Sequence, residues 1–280
     1  MRHLGGFVSV AGGLQNGILA GRELDINTIM IHPTPPQRWN TKPFEKESIE
    51  KFNSERKNSG IEKVFFHGIY LVNLANPDKQ KFHLSKVSLK NYLDLADAVN
   101  ADSVVFHVGS FKDQEDHEEG YARIAKGINW IFEHSENNKP LALEVAAGAG
   151  KVVGSKFEDL ARIYEKIENK DRLIFCLDTA HLYSSGYDLV NKLDEVVEEM
   201  DKVLGLENIH TVHFNDSKVD FDSKRDRHEN LGEGRIGEKA MKAFLNHPKL
   251  KKMAFVLETP GMKDADTAKE EIGKLKGWAE

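Results

Sequence analysis

Short apolar runs alternate with longer stretches that are apolar on one side only, from one end of the chain to the other. The runs Phe7–Val10, Thr28–His32, Val64–His67, Ser103–His107, Leu141–Val145, Leu173–Asp178, Ile209–Asn215 and Ala254–Glu258 have the length and content of strands buried on both faces. Between them lie helical patterns. Ser85–Val99 carries Val87, Leu89, Tyr92, Leu93, Leu95 and Ala96 near the spacing of a one-sided helix, with Ser85 as its expected cap. Phe157–Ile167, Leu189–Leu204 and Glu238–Leu245 repeat that pattern. Eight strands alternating with helices predict a (β/α)8 TIM barrel, with a doubly wound open sheet as the alternative. No linker, low-complexity stretch or internal repeat beyond the β/α unit divides the chain, so residues 1–280 are expected to form a single domain.

The strand ends carry the chemistry. Strands three to eight finish at His67, His107, Glu144, Asp178 with His181 close behind, His213, and Glu258, and the segment after strand seven adds Asp226 and His228. In a parallel barrel these ends share one mouth, where such enzymes place reactive groups. Taken singly, an Asp such as Asp178 reads more readily as a helix cap or turn residue, and each histidine as a satisfied core or surface imidazole. Their recurrence on six consecutive strands favours ligation. Imidazole and carboxylate together suit zinc, with manganese or iron as alternatives. Nine ligands exceed one tetrahedral ion and fit a cluster of two or three with a bridging carboxylate. His3, His83, His117, His134, His210 and His247 fall away from that mouth, while His32 lines it only indirectly.

Composition adds limits. The single cysteine, Cys176, lies inside a predicted strand and excludes an internal disulfide framework, which favours a reducing, cytoplasmic setting. The start of the chain shows no signal-peptide pattern, and no apolar run approaches the ~20 residues of a membrane span. A formal charge of −6 disfavours a nucleic-acid partner, but three divalent ions at the mouth would offset it.

The motifs Leu177-Asp178-Thr179-Ala180-His181, Val212-His213-Phe214-Asn215-Asp216-Ser217-Lys218 and Asp226-Arg227-His228-Glu229-Asn230-Leu231-Gly232-Glu233-Gly234 closely resemble the signatures of endonuclease IV, the zinc-dependent apurinic/apyrimidinic endonucleases. The resemblance runs from Val8-Ser9-Val10-Ala11-Gly12-Gly13 to Leu257-Glu258-Thr259. It implies three zinc ions. His67 and His107 would hold one, bridged by Glu144 to a second completed by Asp178, His213 and Glu258, and His181, Asp226 and His228 would hold the third. It implies hydrolysis 5′ to an abasic site in duplex DNA, leaving a 3′-hydroxyl and a 5′-deoxyribose phosphate, with trimming of damaged 3′ ends. Glu258 and Glu144 would be the catalytic carboxylates, Glu258 orienting the attacking water.

Gln37-Arg38-Trp39 and Tyr70 resemble the residues that enter the bent duplex, although Trp39 could equally be packed under its loop. Lys218, Arg225 and Arg227, with Lys224 and Arg235 nearby, form a charge run beside the ligands that would grip phosphates. The implied partner is damaged double-stranded DNA, with no membrane and a monomeric chain. Departures are Phe7 where the family commonly has His, Val108 for Pro, Val145-Ala146 for Asn-Thr, Ala180 for Cys, and the segment His32-Pro33-Thr34-Pro35-Pro36. None removes a ligand; they bear on turnover, metal preference and lesion range. The main rival is a metal-dependent sugar isomerase or epimerase of the xylose-isomerase-like type. It would use Glu144, Asp178, His213 and Glu258 and leave the other five ligands without a role. A non-catalytic binder of damaged DNA is the other reading. It is disfavoured because buried carboxylates and imidazoles are costly to keep unpaired.

Overall fold

The computed structural model describes residues 1–39, 42–112 and 116–280. Eight strands close into a parallel barrel: β1 (Leu4–Phe7), β2 (Thr28–Ile31), β3 (Lys63–His67), β4 (Ser103–Phe106), β5 (Leu141–Glu144), β6 (Leu173–Asp178), β7 (Ile209–His213) and β10 (Ala254–Leu257). The order around the ring is β1-β10-β7-β6-β5-β4-β3-β2, and every pairing is parallel. Helices α1 (Asn16–Glu23), α2 (Lys46–Arg56), α3 (Lys79–Ala98), α4 (His117–His134), α5 (Phe157–Glu165), α6 (Thr179–Ser185), α7 (Leu193–Leu204), α8 (Gly237–Asn246) and α9 (Ala265–Trp278) follow the strands in turn. A small antiparallel hairpin, β8 (Asp216–Ser217) with β9 (His228–Glu229), interrupts the pattern after β7. The TIM barrel is thus the observed architecture. No helix among the described residues is long and apolar enough to cross a membrane.

Both faces of the strands are apolar because both are covered. Met30, Phe65, Val105, Ala142, Ile174, Cys176, Ala254 and Val256 fill the barrel interior, with Phe7 packed against them. The alternate residues, among them Ile29, Ile31, Phe66, Val104, Phe106, Leu143, Leu177 and Leu257, face the helices in the main core. This two-residue period has a consequence at the mouth. Two residues beyond the interior side chains Phe65, Val105, Ala142, Cys176 and Val256 stand His67, His107, Glu144, Asp178 and Glu258, which therefore turn inward.

Some boundaries differ from the sequence expectation. The first strand is Leu4–Phe7 rather than Phe7–Val10, because Leu4 to Gly6 pair with Phe255 to Leu257 of β10. Gly5 permits that position: a Cβ there would lie 1.6 Å from the Thr28 carbonyl oxygen of β2. Helix α3 starts at Lys79, with Asp78 accepting from the Gln80 and Lys81 amides, so Ser85 is not its cap. The Ser85 hydroxyl lies inside the helix, donating to the Lys81 carbonyl and accepting from the Asn73 amide. Helix α7 starts at Leu193 rather than Leu189, since Asp188 draws the Val190 and Asn191 amides into a turn.

Candidate metal centre

The strand ends bring all nine candidate ligands to one place. His67, Glu144, Asp178 and His213 are the last residues of β3, β5, β6 and β7, while His107 and Glu258 follow β4 and β10 directly. His181 sits in the first turn of α6. Its amide bonds the Asp178 carboxylate at 2.8 Å, so Asp178 is both helix cap and member of the cluster. Hairpin β8–β9 carries His228 on its second strand and Asp226 in the preceding loop, and so reaches over the mouth.

Glu144 is the hub. Its Oε2 lies 3.0 Å from His67 Nε2 and 3.5 Å from His107 Nε2, and its Oε1 lies 3.0 Å from His213 Nδ1 and 3.5 Å from His181 Nδ1. His213 Nδ1 is also 3.7 Å from Glu258 Oε2 and 3.9 Å from Asp178 Oδ2. Asp226 Oδ1 stands 3.3 Å from the Nε2 atoms of both His181 and His228. Three sets of ligand atoms lie within 4.8 Å of one another: His67–Glu144–His213, Asp178–His181–His228 and Asp178–His213–Glu258. The sets share Asp178 and His213, whereas His107 and Asp226 join through their contacts with Glu144 and the imidazoles.

The tautomers suit metal. His67, His181 and His228 each direct Nδ1 at a main-chain carbonyl, of Gly68 at 2.8 Å, Val145 at 2.9 Å and Glu258 at 3.2 Å. A proton held there leaves the Nε2 lone pair free for a cation, the usual outer support of a ligating histidine. The Nε2 atoms of His181 and His228 are buried and face only Asp178 and Asp226 carboxylate oxygens at 3.3–3.5 Å, without a well-formed hydrogen bond among the described residues. Buried polar atoms of that kind are rare unless a ligand completes them. The donor set, imidazole nitrogen with carboxylate oxygen, fits zinc, manganese or iron.

Electrostatics point the same way. Burial alone would raise the Glu144 carboxyl, yet the imidazoles of His107, His213 and His67 hold it well below the usual carboxylate range. Burial would lower His181, but Asp178, Asp226 and Glu144 lift it to about 10. His107, where burial dominates, falls to about 4. The mouth therefore concentrates negative charge that protons or cations must balance. Cys176, pushed up to about 11 chiefly by burial, is a core thiol.

Two supports had no assigned role in the sequence. Met30 lies under His213, its Sδ 3.1 Å from Nε2; its only sequence signal is an inward-facing methionine in an otherwise branched strand. Buried Asp216 accepts from the amides of Ser217, Gly234, Ile236 and Gly237 at 2.7–3.2 Å and so ties the hairpin to the turn Gly232-Glu233-Gly234. A Cβ on Gly234 would meet Asp216 Oδ1 at 2.5 Å, which explains the glycine there.

Around the cluster, a cleft of about 520 Å³ runs from Trp39 and Tyr70 to His107, His181 and Asp226. Gln37 and Arg38 are exposed, Trp39 is partly packed against the core, and Tyr70 is 57% exposed with its ring edge-on to His32 at 5.5 Å. The Tyr70 amide bonds the Pro36 carbonyl at 3.0 Å, joining the two loops. Across the mouth, Arg225 and Arg227 are exposed, and Lys218 Nζ lies 3.8 Å from Glu229. Lys224 instead bonds the Ser185 carbonyl, and Arg235 pairs with Asp220. A larger cleft of about 710 Å³ around His3 and His210 opens at the opposite end of the barrel, away from all nine ligands.

Comparison with known proteins places this geometry. The family model described as a xylose isomerase-like TIM barrel matches residues 18–278. A probable endonuclease 4 of Halothermothrix orenii is 36% identical over 275 residues, covering 98% of this chain and 99% of that protein. Another, of Oceanobacillus iheyensis, is 38% identical over 235 residues, 84% of this chain and 78% of that protein. Among solved structures, endonuclease IV of Thermus thermophilus superposes with a TM-score of 0.88 at 29% identity, over 99% of this chain and 98% of that one. A D-tagatose 3-epimerase-like protein gives a TM-score of 0.77 at 18% identity over 99% of this chain and 97% of that one, which speaks to the fold alone. With relatives of this identity matched over nearly its whole length, the chain belongs to the endonuclease IV family of xylose isomerase-like TIM barrels.

Proposed function

We propose that the protein is a zinc-dependent DNA-repair endonuclease that hydrolyses the phosphodiester 5′ to abasic sites in duplex DNA and also trims damaged 3′ ends. The observation that carries this reading is the hairpin β8–β9. It sets Asp226 and His228 over the barrel ligands, where a sugar isomerase built on Glu144, Asp178, His213 and Glu258 has no use for them. His67, His107 and Glu144 would hold one ion, Glu144, Asp178, His213 and Glu258 a second, and His181, Asp226 and His228 a third, with Asp178 close enough to serve both of the latter. Bound ions would lower the pKa of a water and neutralise charge on phosphate and leaving oxygen.

The chain's own groups would do the rest. Glu258 Oε2 faces the cluster with its side chain 27% exposed, so it can reach a water at the mouth, orient it and take its proton. Arg38 and Tyr70 would fill the gap at a missing base, where unstacking costs least, with Gln37 and Trp39 beside them. Lys218, Arg225 and Arg227 would contact phosphates on the opposite rim.

The test is cleavage of a duplex with one abasic site, with elemental analysis of the same preparation. Wild type should nick 5′ to the lesion and hold close to three ions per chain. Replacing Asp226 with Asn and His228 with Gln should remove about one ion and slow cleavage at least ~10²-fold, the scale of a lost electrostatic contact to a developing charge. Full activity in the double variant would overturn the reading. So would a wild type that ignores abasic DNA but interconverts ketose and aldose sugars.

A further inference from the structure

Asn215 follows the end of β7 by two residues, is fully buried, and is not among the nine candidate ligands. Its side-chain amide joins two ligand-bearing strand ends. Nδ2 donates to Asp178 Oδ2 at 2.7 Å, and Oδ1 accepts from the Glu258 amide at 2.8 Å. The Asn215 main chain is clamped as well, its amide donating to Thr179 Oγ1 at 2.8 Å and its carbonyl accepting from the same hydroxyl at 2.6 Å. Because a main-chain amide can only donate, Glu258 fixes which way the side chain faces, and the NH2 group must point at Asp178.

That matters because the two oxygens of Asp178 have different duties. Oδ1 caps α6 through the His181 amide. Oδ2 is the oxygen 3.5 Å from His228 Nε2 and 3.9 Å from His213 Nδ1, so it faces the two ligand sets that share Asp178. A carboxylate that could rotate would exchange these duties. One donor held at 2.7 Å occupies one lone pair of Oδ2 and leaves the other for the cluster.

We infer that Asn215 is a positioning residue that holds Asp178 Oδ2 toward the ions bound between β6, β7 and the hairpin. The inference rests on the metal-site reading above. Support of this kind is commonly worth 10- to 100-fold in metal affinity.

The test is a double-mutant cycle on zinc affinity, read by competition with a chromophoric chelator. It compares wild type, Asn215→Ala, Asp178→Ala and the double variant, with Ser85→Ala as a control for the loss of a buried hydrogen bond that involves none of the nine ligands. Asn215→Ala should weaken the tightest-competing zinc about 10- to 100-fold. In the Asp178→Ala background it should cost less than about threefold, while Ser85→Ala leaves affinity unchanged. Melting of the chelator-stripped proteins checks that each variant folds. Unchanged affinity in Asn215→Ala, or equal losses in both backgrounds, overturns the inference. A wild type that binds no zinc overturns the metal reading itself, which is a separate outcome.

Discussion

Met30 and His213 meet inside the barrel with Sδ 3.1 Å from Nε2. Thioether sulfur is a weak acceptor, but a proton held against it on Nε2 frees the Nδ1 lone pair for a cation shared with the carboxylates above. Met30→Leu keeps the volume, so it should cost under ~1.5 kcal/mol of stability. Zinc affinity should nevertheless fall by roughly tenfold, the low end for an outer support. Chelator competition beside a thermal melt separates the two; unchanged affinity would reduce Met30 to packing.

Glu258→Gln should lower the cleavage rate of an abasic duplex by at least ~10²-fold, because an amide cannot accept the proton of the attacking water. Duplex affinity, measured by anisotropy, should stay within a few-fold. A variant that cleaves near the wild-type rate would assign the water to another group.

Arg38→Ala with Tyr70→Ala should erode the preference for abasic over intact duplex while leaving ion content unchanged. Each stacking side chain is worth roughly 1–3 kcal/mol where a base is unstacked, so the preference should drop at least tenfold. Retained discrimination in the double variant would move lesion recognition elsewhere on the mouth.

Alkali should loosen the same mouth through Tyr92. This buried phenol bonds the Thr34 hydroxyl in the loop that leads to Gln37 and Arg38, and burial raises it to about 12. Its folded-state value exceeds the ordinary value near 10, so its stabilisation is complete below pH ~10 and is lost as pH rises toward 12. Over that window the wild type should lose about 1.4 kcal/mol per pH unit through this proton, and Tyr92→Phe should lack that component. Denaturant midpoints at pH 9, 10 and 11 read the difference; identical slopes would refute it.

The barrel was legible because a sheet covered on both faces writes itself as near-continuous apolar runs, and the six strand-end ligands because each closes such a run on the inward parity, whereas His181, Asp226 and His228 were legible only through their motifs. Cys176 to Asp178 and Phe65 to His67 show the pattern directly. Less legible were the supports. Met30 reads as core, Asn215 and Asp216 as motif letters without a partner, and their roles arise only from contacts between distant segments. Ser85 misled because a serine near an apolar period looks like a cap, whereas Asp78 supplies that function a full turn and more upstream. That Lys224 and Arg235 are tied to neighbouring groups depended on Ser185 and Asp220, far away or unremarkable in sequence.

The ring order has a consequence for biogenesis. Strand β1 pairs with β10, and the ligands enter from β3 through β10, so Glu258 is added only when the last strand has been made and the ring has shut. A nascent chain still lacking β10 carries most of the ligands but no closed vessel to hold them. Metal acquisition should therefore be a late event that seals a finished barrel rather than a seed for its folding. A ribosome-released fragment ending before Ala254 should be unable to retain the full complement of ions.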